Sequence, residues 1–233
     1  MKFPFFSYII LPIVLIASPL FALNNREQQL VDHVKWSIEQ AEKGISKLNA
    51  QVLAVEGMTS PLIKRFLNNV CTLLNNNYLE IGVWKGSTFT AALFGNKSAI
   101  RKAVAIDNWS EFAGPAAEFK NNCKLIADVD YSFYSEDSFS INISKLFNDP
   151  VDIYFYDGNH TALSQELAFT YYNEILAPVF IAIVDDWNHG PAQVGTREAF
   201  KKLGYTIIFE RELPGKHDTT LWWNGLYVAV VRK

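Results

Sequence analysis

Residues 78–89 read YLEIGVWKGSTF. Tyr78 to Ile81 are apolar apart from Glu80, and Gly82, Gly86, Ser87 and Thr88 follow. This is the pattern of a strand that turns through a glycine-bearing loop into a helix. Glycine accepts a positive φ and lets a ligand approach the backbone closely. The turn lacks both G-x-G-x-x-G and the Walker lysine pattern. Glu80 beside it would also repel a pyrophosphate. A nucleoside with a neutral or cationic tail therefore suits the loop better than a dinucleotide.

Outward from this stretch, apolar runs alternate with helical patterns. Strands are expected at Ala103–Ile106, Tyr131–Tyr134, Val151–Tyr156, Val179–Val184, Tyr205–Glu210 and Tyr227–Val231, with Tyr78–Gly82 before them. Helices are expected at Ser87–Leu93, Ser138–Phe147, Leu163–Ile175 and Pro191–Leu203. A short one is expected at Ala116–Lys124 inside a long loop, 108–130. Upstream, Leu30, Val31, Val34, Ile38, Ala41, Ile45 and Leu48 recur at three- and four-residue steps, which predicts one amphipathic helix over 24–50. Thr59 or Ser60 caps a further helix with Pro61 at its first position. Strands alternating with helices imply a parallel sheet covered on both faces.

Several of these strands end in an acid: Asp107, Asp137, Asp157 and the pair Asp185-Asp186. Ligands of an open α/β sheet bind outside the carboxyl ends of the strands, so the acids should share one rim. Asp107, at the end of the second strand, is placed to accept both hydroxyls of a ribose. Asp157, Asp185 and Asp186 are oxygen ligands that suit a hard divalent cation, most simply Mg²⁺. His160 and His189 lie just beyond them and are candidate general bases, His160 the stronger. Trp109, Trp187, Trp222 and Trp223 suit core packing first and pocket walls second.

Composition bounds the alternatives. The 233 residues are 49% hydrophobic with a net charge of −3, the profile of one globular domain long enough to bury a core. No basic run marks a nucleic-acid partner, and none is expected. Cys71 and Cys123 lack CxxC spacing, so two buried free thiols are expected first and one optional disulfide second. Residues 3–23, FPFFSYIILPIVLIASPLFAL, carry no charge and follow Lys2. They match a cleaved signal peptide first and an uncleaved membrane anchor second. The expected divisions are thus 1–23 as signal or anchor, 24–56 as N-terminal helix and 57–233 as the main domain. The expected location is exported or membrane-associated, with a cytoplasm-facing domain open if the segment stays as an anchor.

Over roughly residues 57–232 the motif order resembles the class I S-adenosylmethionine-dependent methyltransferases. YLEIGVWKGSTF is similar to their first motif, AVAIDNW to the second, SEDSF to the adenine-side motif, and VDIYFYDGNH with FIAIVDDWNHG to those of the fourth and fifth strands. Among them the chain looks most like the macrocin and sugar O-methyltransferases. The resemblance implies a Rossmann-like, doubly wound, seven-stranded sheet, mostly parallel with an antiparallel last strand and helices on both faces. It implies S-adenosyl-L-methionine held by Glu80, Gly82, Gly86 and Ser87 at its methionine and ribose end. Asp107 would take the ribose hydroxyls, and Asp137 and Ser138 the adenine. Asp157, Asp185 and Asp186 match the magnesium ligands of the metal-dependent branch. The implied reaction is O-methylation of a hydroxylated small molecule or sugar, with Asp157 and His160 in the catalytic group; a homo-oligomer is compatible with it.

Two positions depart from the family pattern. Trp84 stands where the first motif usually has its middle glycine, and Asn159 stands where metal-dependent relatives carry an acid base. An exported binding protein without catalysis and, further off, a nicotinamide-dependent oxidoreductase stay open as rivals.

Overall fold

The computed structural model describes residues 23–215 and 221–233. The signal or anchor expected at 1–23 falls, but for Leu23, outside the described residues. In chain order the elements are α1 (Asn25–Glu42), α2 (Ala50–Leu53), α3 (Pro61–Val70), β1 (Asn76–Ile81), α4 (Ser87–Leu93), β2 (Ile100–Ile106), α5 (Ala116–Asn122), β3 (Tyr131–Tyr134), β4 (Val151–Tyr156), α6 (Ala162–Thr170), β5 (Leu176–Val184), α7 (Gly190–Leu203), β6 (Thr206–Leu213) and β7 (Leu226–Arg232).

Among the described residues the sheet has seven strands in the order β3-β2-β1-β4-β5-β7-β6. β1 to β5 pair in parallel, and β7 runs antiparallel to both its neighbours. Strand order reverses between β1 and β4, the point at which such sheets open a ligand crevice. Inserting β7 between β5 and β6 departs from the 3-2-1-4-5-6 order of dinucleotide-binding folds.

β1 and β4 are buried along their whole length, as strands covered on both faces must be. Alternate residues feed two cores. Tyr78, Phe89, Ile153, Ile183 and Val228 pack with Leu30, Ile63 and Phe66 on one face. Leu79, Ile81, Tyr154, Tyr156 and Tyr227 pack with Phe169 and Phe200 on the other. α1 thus contributes Leu30, Val31 and Val34 to the first core.

Two expected helices differ. The helix predicted over 24–50 stops at Glu42. Gly44 adopts φ 74°, and its N–H and that of Ile45 donate to Ala41 and Gln40 carbonyls. This left-handed stop satisfies the last carbonyls and leaves Ile45 exposed, so the periodicity carried past the true end. The helix predicted over 138–147 is only a 3-10 turn at Ile143–Lys145. Asp137 Oδ1 accepts from the N–H of Phe139, and Asn142 Oδ1 from that of Ser144. Such short polar side chains compete with the helical backbone pattern.

Candidate active site

The loop after β1 is built by its glycines. Gly82 has φ 82°, and a Cβ there would lie 2.0 Å from the Asp157 carbonyl oxygen. Only glycine lets the ends of β1 and β4 close together here. Gly86, at φ 77°, would place a Cβ 2.8 Å from the Phe119 ring. Trp84, the position without the family's glycine, nevertheless adopts a positive φ of 40°. A bulky side chain in that region costs about 1–2 kcal/mol, so the loop keeps the glycine conformation and carries strain.

Asp107 holds that strained loop. Its Oδ2 accepts from the N–H groups of Val83 and Trp84 at 3.0 and 2.8 Å. Its Oδ1 accepts from Trp109 N–H at 2.7 Å. A carboxylate offers about four acceptor positions, and these donors take three of them. The indole Nε1 of Trp109 donates to Trp84 O, and that of Trp84 donates to Phe112 O, which closes a small network at the start of the 108–130 loop. Trp109 itself is buried against Phe119 and Phe133, a packing role.

Glu80 is fully buried. Thr88 Oγ1 and Tyr78 OH each donate to it at 2.5 Å. Burial pushes its carboxyl up to about 8, against the pull of these two hydroxyls. Glu80 is therefore largely protonated at neutral pH. It braces β1 against α4, a role that Thr88, the second residue of α4, could have signalled. Among the described residues the buried Ser87 hydroxyl finds no partner, and neither does that of Thr59. A Cβ on Gly57 would fall 2.3 Å from that of Ser87, so the segment before α3 forms one wall of this place. Ser60, not Thr59, caps α3, accepting from Ile63 N–H. Sequence reasoning gave Thr59 only a capping role.

Asp137 and Ser138 lie past the end of β3. The Asp137 carboxylate caps its own turn, and the Ser138 carbonyl accepts from Tyr172 OH. Neither the Asp137 carboxylate nor the Ser138 carbonyl reaches the Gly82–Gly86 loop by a hydrogen bond; they stand on the same rim.

Across the switch point, Asp157, Asp185 and Asp186 do gather. Burial and the neighbouring Asp185 and Asp186 charges hold Asp157 well above the usual carboxylate range. Asp185 is pushed up to about 7 by burial and by Asp186. Asp186 moves down despite burial, because His160 Nε2 lies 2.9 Å from its Oδ2. Asp186 has φ 52°, which turns its carboxylate back toward His160. His160 in turn is raised above the ordinary histidine value: burial opposes the shift, and the hydrogen bond and charge of Asp186 outweigh it. Gln165 Nε2 stands 3.5 Å from its other nitrogen.

This arrangement bears on the magnesium expectation. Among the described residues no group of three or more His, Cys, Asp or Glu side chains is arranged to hold a metal ion. Three carboxylates on one rim were legible, but the imidazole of His160, 2.9 Å from Asp186 and 4.0 Å from Asp157, was not foreseen between them. As the side chains stand, the magnesium expectation finds no support among the described residues. His189 is exposed at the start of α7, and no partner of its side chain is found among the described residues.

A cleft of about 790 Å³ opens on the far side of the glycine loop, between α2 and α5. Lys85, Glu56, Asn121 and Lys124 are among its lining residues, and the carboxylate trio is not. Lys85 pairs with Glu56 at 2.8 Å and lies over the Trp84 ring.

Comparisons with known proteins agree with this geometry. A family described as a methyltransferase domain matches residues 79–187. No curated protein matches the chain significantly. Among solved structures, the chain is similar to an O-methyltransferase from Bacillus cereus in complex with SAH, at 16% identity and a TM-score of 0.55, over 89% of this chain and 97% of that one. It is similar to a proposed caffeoyl-CoA O-methyltransferase from Staphylococcus aureus, at 17% identity and a TM-score of 0.51, over 88% and 98%. It is also similar to a proposed RNA methyltransferase from Pyrococcus horikoshii, at 13% identity and a TM-score of 0.51, over 85% and 98%. At such identities the structures speak for the fold and leave the acceptor undecided. The matched methyltransferase domain thus spans the glycine loop, Asp107 and the carboxylate trio, on a fold that the chain shares with these structures.

Proposed function

We propose that the protein transfers a methyl group from S-adenosyl-L-methionine to a hydroxyl oxygen of a small molecule or sugar. One observation carries this: the Asp107-held glycine loop faces, across the β1/β4 switch point, a rim that contains a paired histidine. The Ser87 hydroxyl, without a partner among the described residues, and the remaining acceptor position of Asp107 suit a nucleoside with a polar tail. S-adenosylmethionine, when bound, supplies the methyl group on a cationic sulfur.

The remaining work falls to residues of the rim. The acceptor hydroxyl must be held in line with the transferred carbon, and such positioning supplies much of the rate. His160 takes the hydroxyl proton through Nδ1, which Gln165 Nε2 approaches only to 3.5 Å. Asp186 then stabilises the imidazolium. The oxygen–carbon bond forms as the sulfur–carbon bond breaks, leaving a neutral thioether. No step is assigned to a metal.

Incubation with S-[methyl-³H]adenosylmethionine and a panel of phenols, catechols and sugars tests the proposal by transfer of label to an acceptor. Label transferred only to carbon or nitrogen acceptors would refute it. A binding protein without turnover is the second reading. It is favoured by Asp107, which already serves three backbone N–H groups, and by Asn159 in place of an acid.

A further inference from the structure

The chain enters the domain at the pole opposite its reaction rim. Asn24 caps α1 and exchanges hydrogen bonds with Glu27. Glu27 is buried and pairs with Arg232, the last residue of β7. Arg26 pairs with Asp152, the second residue of β4, which also holds Arg101 and the N–H of Asn77. These partners stand at the beginnings of parallel strands, because β7 is antiparallel and ends beside Val179 near the start of β5. Just beyond α1, Lys47 reaches Gly95 and Asn96, past the end of α4. The stretch that carries α1 is therefore fastened to this pole at both ends. The rim residues Asp157, Asp185 and His160 follow the opposite ends of β4 and β5. Six residues of β4 separate the poles by about 20 Å.

The uncharged stretch Phe3–Leu23 abuts the capped helix with no spacer. The point at which the chain enters the domain is therefore fixed at this pole. We infer that residues 3–23 tether the protein to a membrane by its α1 pole. The rim then faces the aqueous phase, and the acceptor is a water-soluble hydroxylated compound and not a bilayer lipid. The orientation follows from the attachment of α1; the acceptor clause rests on the methyl-transfer reading above.

Full-chain protein in nanodiscs that carry nitroxide-headgroup lipid tests this. Glu174→Cys, in the turn before β5, and Leu163→Cys, beside the rim, are both exposed positions. They take a fluorophore selectively, because Cys71 and Cys123 are buried. The expected result is quenching of the label at 174 severalfold stronger than at 163. Equal quenching, stronger quenching at 163, or failure of the full chain to stay with the bilayer would overturn the inference. S-adenosylmethionine titrated into the same discs reports the methyl-donor site separately. Expected quenching without cofactor binding would count against the methyl-transfer reading and its acceptor clause, and leave the orientation standing.

Discussion

Trp84 donates its backbone N–H to Asp107 Oδ2 at 2.8 Å while holding a φ of 40°. The acid at the end of β2 therefore fixes a strained loop. Strain of about 1–3 kcal/mol persists only where the surroundings over-determine it, and here Asp107 and the two indole hydrogen bonds do so. Trp84→Gly should relieve the strain and lose the indole contacts together. S-adenosylmethionine affinity is expected to stay within about threefold of wild type, a change under ~1 kcal/mol, as titration calorimetry would show. A far larger loss would mean that the indole itself contacts the ligand.

Gly82→Ala should destabilise the domain severely. The added Cβ meets the Asp157 carbonyl oxygen at 2.0 Å, at a φ of 82°. A loss of at least ~2 kcal/mol is expected from strain and overpacking together, measured by urea denaturation. A variant as stable as wild type would show that β1 and β4 close differently.

Glu80→Gln separates a brace from a charge. The folded carboxyl titrates at about 8, above its ordinary 4.5. The folded state thus binds more protons than the unfolded state between these values. That contribution to stability is fully present below about 4.5 and is lost as pH rises toward 8, with a limiting slope near 1.4 kcal/mol per pH unit. Glutamine keeps the shape and removes the titration, so its stability should fall less over this window. Chemical denaturation at pH 5 and pH 8 checks the difference; identical slopes would place the Glu80 charge elsewhere.

His160→Asn should lower kcat on the order of 10²-fold or more, the usual share of a general base, with cofactor affinity unchanged. Because the pairing with Asp186 raises His160, and the base must be neutral, the wild-type rate should climb with pH through a value above 6.5. The variant should lack that limb. A pH–rate profile unchanged by the substitution would remove His160 from the chemistry.

A chelator should leave turnover intact, because the side chains of Asp157, Asp185 and Asp186 form no metal-holding group and Asp186 is already paired with His160. Loss of turnover on EDTA treatment, restored by Mg²⁺, would make the trio metal ligands after all.

Much of this was legible in the chain itself. Tyr78–Ile81 and Val151–Tyr156 read as buried strands because their apolar runs are short and bounded by turn residues, and the strands ending at Asp107, Asp157 and Asp185 read equally well. The stop at Gly44 did not, since Ile45 and Leu48 happen to continue the helical spacing. Nor did the Asp137 and Asn142 turns, whose side-chain hydrogen bonds leave no periodic trace. At the site, residue types were visible and backbone angles were not. Trp84 could be flagged as an anomaly, yet its left-handed conformation and the three N–H groups gathered by Asp107 depend on how the loop folds back across β2. The pairing of Asp186 with His160 likewise depends on a loop conformation, with Asp186 at φ 52°, that residue types do not reveal.

The most direct test of the central claim is calorimetric titration of the full chain with S-adenosylmethionine and, separately, with NAD⁺, for wild type and Asp107→Ala. Saturable binding of S-adenosylmethionine by wild type is expected, weakened on the order of 100-fold in the variant through lost hydrogen bonds to a charged acceptor, with no binding of NAD⁺. Binding of NAD⁺ without S-adenosylmethionine would contradict the account.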